Sequence, residues 1–266
     1  MADALDERSD SFASTASWIA WVIWVVAFLA TLLPRPLSLT SLRFTGPLAI
    51  VAAGWAVFVV GATWQAALGL VAATVTAVIG FTAWVADDCV NGASYGDEQR
   101  FLLRAPGALL AGPAEVAWIA GAAALLTGPL LIAADSLVIG VVTTIVGLPV
   151  FLIAFRSLHA LSNRVVVLVP AGLTLADPLT LAEAKLFARD SIVTLGPAPA
   201  DTDALDLSQQ ALGLALRLEV TSPAAVSVLE TRGRATQAAP TAIVFTPASP
   251  AALLAEAGRR DLPTGA

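Results

Sequence analysis

The chain has 266 residues, 58% of them hydrophobic and only 13% charged, where an ordinary soluble domain carries about 25% charged residues. Its formal net charge of −6 argues against a nucleic-acid partner, because a polyanion selects basic surfaces. The lone cysteine, Cys89, excludes an internal disulfide.

The charges are unevenly spread. Residues 17–155 hold ten, and six of these fall between Asp87 and Arg104. From Arg156 onward, charge returns at ordinary density. That shift predicts a membrane part followed by a water-soluble part. Lys185 is the only lysine among 14 basic residues, and this arginine bias, with the high alanine content, reads as the imprint of a GC-rich bacterial genome.

A helix needs about 20 apolar residues to cross some 30 Å of hydrocarbon. After a polar N-terminal tail over residues 1–16, the first such run is 17–33, stopped by Pro34-Arg35-Pro36. Its acidic leader (Asp3, Asp6, Glu7, Asp10) is the wrong charge for a signal peptide, so the helix is read as retained. The run from Gly46 to Ala86 is too long for one crossing and divides at its most polar point, Gly61-Ala62-Thr63-Trp64-Gln65, into 46–62 and 65–86. A second hairpin, 107–133 and 137–155, turns at Asp135-Ser136. The expected fold is therefore a five-helix transmembrane bundle over residues 17–156. Five crossings gather Arg35, Arg43, Arg100, Arg104, Arg156 and Arg164 on one side and leave Arg8 on the other. Positive charge marks the cytoplasmic side, which places the N-terminus outside and the C-terminal domain in the cytoplasm.

Inside the membrane part, Glu115 is the one carboxylate expected well within a crossing. It anchors its helix by pairing with Arg104 or Arg100, or it lines a transport path. Gly69, Ala73 and Ala77 form a small-residue stripe that suits packing within the chain or against a second copy. Trp18, Trp21 and Trp24 read as an interfacial stripe. In the long cytoplasmic loop, Asp87 and Asp88 with Arg100 and Arg104 form a candidate polar site, either a solvated connection or the acidic pair of a membrane enzyme. No metal site or cofactor is expected: His159, the only histidine, has no partner at ligand spacing.

Beyond Arg164 the pattern changes to strands. Residues 165–169 are a β-branched run, and 172–176 alternates and then turns. Residues 212–220 alternate Leu with Gly, Ala, Arg and Glu, the clearest period-2 signal in the chain. Ser249-Pro250 opens a closing helix that ends at Arg259-Arg260. About seven short strands and one helix predict a small barrel or bent sheet over residues 157–262, and residues 160–262 alone are expected to fold as a soluble, mainly β domain.

The phrases Arg164-Val-Val-Val, Ala171-Gly172-Leu-Thr-Leu, the strand at 212–220, and Ile243-Val-Phe-Thr-Pro-Ala-Ser-Pro leading into the helix resemble the bacterial PH-like domains, which occur fused to membrane helices. The resemblance implies a PH-like barrel and a binding or scaffolding role rather than catalysis. It carries over no lipid site. Residues 157–266 hold eight basic and ten acidic residues, and only Arg232 and Arg234 form a close basic pair for head-group contact. The partners expected are the lipid bilayer and a protein bound by the cytoplasmic domain, with a second copy of the chain as an alternative. The leading function is a non-enzymatic membrane scaffold. A transporter component using Glu115 and a membrane enzyme using Asp87 and Asp88 are the alternatives.

Overall fold

The computed structural model describes residues 10–229 and 234–265. The chain divides into two compact units, one of residues 1–85 and 114–159, the other of residues 86–113 and 160–266.

The first unit is helical. Helix α1 (Asp10–Leu32) begins seven residues before the expected 17. Helix α2 (Pro36–Val60) begins ten residues before the expected 46. Pro36 suits a first helical position, where its missing N–H costs nothing. The polar stretch after it does not break the helix, because its hydroxyls donate to carbonyls one turn back: Thr40 to Pro36 (3.1 Å), Ser41 to Leu37 (3.0 Å) and Thr45 to Ser41 (2.8 Å). The turn after α2 falls at the polar point, with Gly61 at φ 89° and the Thr63 hydroxyl capping Ala66 N–H at 3.3 Å.

The expected crossing at 65–86 is broken. Helices α3 (Trp64–Gly80) and α4 (Ala83–Asn91) meet at a 59° bend, where Thr82 caps Val85 N–H. Helix α5 (Pro113–Ala133) starts six residues later than 107, since Gly107, Gly112 and Pro113 favour turns over helix. Helix α6 (Leu137–Ser162) runs seven residues past the expected 155. Among the described residues, four helices are long and apolar enough to cross a membrane, five if the bent α3–α4 pair counts as one. Their large apolar side chains face outward: Phe58, Trp64, Val138 and Ile153 are among the most exposed. In water that arrangement would be unstable, but in lipid it is the favoured one.

Within this unit, Phe44, Leu48 and Ala122 form a buried cluster with Trp118, Phe151 and Phe155. The Trp118 indole donates to the Phe44 carbonyl at 2.9 Å, and Phe44 meets Phe151 edge-on at 5.6 Å. Helices α5 and α6 approach closely at their glycines. A Cβ on Gly128 would lie 2.8 Å from Thr144 N, one on Gly140 would lie 2.7 Å from Ile132 N, and one on Gly147 would strike the Ala124 carbonyl. Glycine at these positions lets the two backbones touch. On the sequence-predicted stripe, Ala77 packs against Gly46, while a Cβ on Gly69 would meet nothing within 4 Å. Gly147→Ala is therefore expected to cost about 1–3 kcal/mol by overpacking, and Gly69→Ala to be neutral. The melting temperature in detergent micelles, read from tryptophan emission, checks the contrast.

The second unit is the β part, and it contains a strand that the sequence reading assigned to a loop. Strand β1 (Gln99–Leu102) pairs antiparallel with β2 (Val165–Val169), which pairs with β3 (Gly172–Ala176), which pairs with β4 (Lys185–Ala188). A second sheet has the order β5-β7-β10-β6, from β5 (Ile192–Pro197), β6 (Leu205–Asp206), β7 (Leu216–Val220) and β10 (Ala242–Phe245). Strands β8 (Val226–Leu229) and β9 (Ala235–Ala238) form a separate hairpin. The sheets do not close into the expected barrel. The 212–220 strand is shorter than its alternation suggests, because Gln209, Gln210 and Gly213 all take positive φ before β7 begins. Helix α7 (Pro250–Arg259) buries Leu253 and Ala257 in the same core as Leu168, Leu173, Leu218 and Phe245.

Phe101 and Leu103, from the segment between membrane helices, belong to that core at 3% and 2% exposure. The unit is therefore built from two separated stretches of chain. The expectation that residues 160–262 suffice as a domain is revised accordingly, since they lack one edge strand and two core side chains.

Candidate functional site

The polar residues singled out between Asp87 and Arg104 do not converge on one site, and Asp87 takes a structural role. Asp87 and Asn91 sit one turn apart on α4 and face the outer edge of β1. The Asp87 carboxylate accepts from Leu102 N–H at 3.0 Å and hydrogen-bonds the Ser249 side chain. The Asn91 amide accepts from Arg100 N–H at 2.7 Å and donates to the Arg100 carbonyl at 2.8 Å. One side chain thus serves both main-chain groups of a strand residue, which is what a neighbouring strand would do. This is how the edge of the sheet is covered. Further along, Ala248 N–H donates to the Leu102 carbonyl (2.7 Å) and Arg104 N–H to Thr246 (2.9 Å).

Asp88, next along the helix, turns away and is exposed. The two carboxylates therefore diverge and form no paired acidic site. Arg100 pairs with Glu98 at 3.0 Å, both partly exposed, and this hydrogen bond is the main reason the Glu98 carboxyl is held below its usual range. The Arg104 side chain lies across Gly213 and reaches the Ala248 carbonyl at 3.5 Å. Among the described residues, no group of three or more His, Cys, Asp or Glu side chains is arranged to hold a metal ion.

The strongest electrostatic feature was not among the candidates. Arg164 and Asp177 form a doubly hydrogen-bonded pair, Nε to Oδ1 at 2.8 Å and Nη2 to Oδ2 at 2.7 Å, with side chains 1% and 0% exposed. Arg164 Nη1 donates to the Arg104 carbonyl, and the Asp177 carboxylate also accepts from Leu179 N–H at 3.1 Å. The pair follows from the β2–β3 register. Val165 opposes Ala176, so the residues just outside the hairpin, Arg164 and Asp177, fall opposite each other. That symmetry about the Pro170-Ala171 turn was readable in the sequence, but only once the hairpin register was known. At the other end of β1, Arg260 donates to the Asp97 carbonyl (2.6 Å) and to Glu256 (2.6 Å). Burial pushes the Glu256 carboxyl up, but the hydrogen bond from Arg260 and the charges of Arg259 and Arg260 outweigh it and hold it below its usual range.

Glu115 is not deep within a crossing. Because α5 starts at Pro113, Glu115 lies in its first turn and is exposed. There a carboxylate favours the positive end of the helix dipole. Arg234 is exposed, and Arg232 lies outside the described residues. His159 is half-buried, and its Nδ1 meets the Thr40 hydroxyl at 2.8 Å, joining α6 to α2. In the helical unit a cavity of about 900 Å³ is lined by Trp24, Phe28, Ala49, Ala53, Gly69 and Ala73 among others. Its walls are mostly apolar and small side chains, with Thr31, Thr45, Thr63, Gln65 and Thr76 among them. Against protein-family models, curated proteins and solved structures, the chain has no match.

Proposed function

We propose that this chain is a non-enzymatic, multi-pass protein of a bacterial cell membrane, a scaffold whose cytoplasmic β unit is PH-like and binds a protein partner. The observation that carries this reading is the fate of the loop between α4 and α5. The Asp87 carboxylate, half of the acidic pair an enzyme would need, is committed to β1, the Arg100 side chain is paired with Glu98, and the backbones of Arg100 and Arg104 join β1 to the β unit. The β unit is thereby connected to the membrane helices at three points of the chain, near residues 86, 113 and 160. Two mainly antiparallel sheets, with Leu253 and Ala257 of a C-terminal helix packed into their core, support the PH-like assignment.

Orientation rests on the arginine asymmetry. Counting α3–α4 as one crossing, a thiol at Ser11→Cys is expected to react with an impermeant maleimide from outside the cell, and one at Ala200→Cys only after lysis. Equal reactivity at both positions in intact cells would contradict the topology. For the scaffold itself, a photo-crosslinking residue placed at Leu186, exposed on the β4 edge strand, is expected to yield a discrete heavier adduct in living cells. Adducts to lipid alone would contradict a protein-binding role.

A further inference from the structure

We propose that two uncharged loops of the β unit, residues 105–112 and 207–215, together form a membrane-surface anchor that inserts Leu110, Leu212 and Leu214 into the interfacial layer of the bilayer. The inference rests on the reading of the helical unit as membrane-spanning. Three observations carry it.

The first is exposure. Leu212 is 72% exposed, Leu214 50% and Leu110 49%. No charged side chain occurs from Ala105 to Ala114 or from Leu207 to Leu216. A water-facing β unit does not ordinarily leave several large apolar side chains on adjoining uncharged loops, and such a patch marks a contact site.

The second is that the two loops are held together by backbone contact. A Cβ on Gly107 would lie 2.5 Å from the Gln210 carbonyl oxygen, and one on Gly213 would lie 2.9 Å from Arg104 Nε. The second loop adopts a costly shape. Gln209 (φ 51°) and Gln210 (φ 59°) are successive non-glycine residues in the left-handed region, followed by Gly213 at φ 129°. That conformation interrupts the alternating strand pattern and leaves Leu212 and Leu214 out of the core, which Leu216 then enters at 0% exposure.

The third is reach, and it decides the occupant. Gly107 is six residues from Pro113, where α5 begins. Six residues extend at most about 20 Å, within reach of a headgroup region that adds roughly 5–8 Å to each face of the hydrocarbon. The covalent tether therefore lets these loops reach the bilayer surface, where apolar side chains gain by insertion. Arg104 stands at the charged margin of the patch, exposed beside Gly213, and suits the phosphate layer.

The test uses the full chain in nanodiscs of phosphatidylcholine and phosphatidylglycerol, with a nitroxide placed in turn at Leu212→Cys, Leu214→Cys, Ile145→Cys and Asp190→Cys. Cys89 is buried, and unsubstituted protein sets its background. Ile145 on α6 is outward-facing at 66% exposure, and Asp190 is exposed in the turn before β5. Collision rates with oxygen and with a water-soluble nickel chelate are compared. The expected result is that the labels at 212 and 214 favour oxygen over chelate several-fold more than the label at 190, approaching the label at 145. Chelate access at 212 and 214 equal to that at 190, with 145 still lipid-like, would overturn the anchor alone. Protection from both reagents would also overturn it, pointing to a protein contact instead. A water-like result at 145 would overturn the membrane reading and the anchor with it.

Discussion

Asp177→Ala is expected to destabilise the β unit by about 3–5 kcal/mol, a large share of a small domain's total stability. The carboxylate is fully buried and accepts two hydrogen bonds from Arg164 and one from the backbone. Removing it leaves a buried guanidinium with no counter-charge. Arg164→Ala should be comparably severe, because it strands the carboxylate and also withdraws the donor to the Arg104 carbonyl. Replacing both, as Arg164→Met with Asp177→Leu, should be far milder, since no buried charge then remains. All seven tryptophans lie at or before Trp118, outside the β unit, so tryptophan emission does not report its unfolding. Hydrogen exchange of the β2 amides does. The single variants should exchange orders of magnitude faster than the parent, and the double variant should fall between. Equal protection in all of them would contradict a structural role for the pair.

The membrane part was legible in outline because lipid imposes one rule on every crossing, so apolar runs stand out. Its boundaries were less legible for physical reasons that differ from place to place. Ser38, Thr40, Ser41 and Thr45 look like a polar break, but the hydroxyls of the last three are satisfied within the helix and that of Ser38 by the Leu33 carbonyl just before it. Residues 107–112 look like helix by hydropathy, but two glycines and a following proline make turns. Glu115 therefore seemed buried when it is terminal. In the β part, β2, β3 and β10 were visible as β-branched or alternating runs. Strand β1 was not, because Gln-Arg-Phe-Leu amid six charged residues has the composition of a solvated loop. Only its pairing with β2, 65 positions away at Phe101↔Val166 and 63 at Leu102↔Val165, makes it a strand. Long-range pairing of that kind leaves little trace in local composition. The same holds for Asn91, whose role depends entirely on lying beside the edge that β1 presents.

Removal of the 86–104 segment should be the most damaging change of all. Phe101 and Leu103 are each almost fully buried, and losing such side chains costs about 3–5 and 2–5 kcal/mol respectively. The edge of β2 would also lose its ladder partner along four residue pairs. Together these losses approach the 5–15 kcal/mol by which domains are ordinarily stable. A chain in which residues 99–103 are replaced by Gly and Ser is thus expected to keep its membrane helices and lose the folded β unit, seen as rapid proteolysis between residues 164 and 260.

The most direct test is complementation. Residues 160–266 are produced alone, and their amide proton–nitrogen NMR spectrum is recorded before and after adding a synthetic peptide of residues 86–104. If the β unit is built from both stretches of chain, the fragment alone gives broad, poorly dispersed signals, and the peptide restores a dispersed spectrum at a one-to-one ratio. A dispersed spectrum from the fragment alone, unchanged by the peptide, would contradict the account.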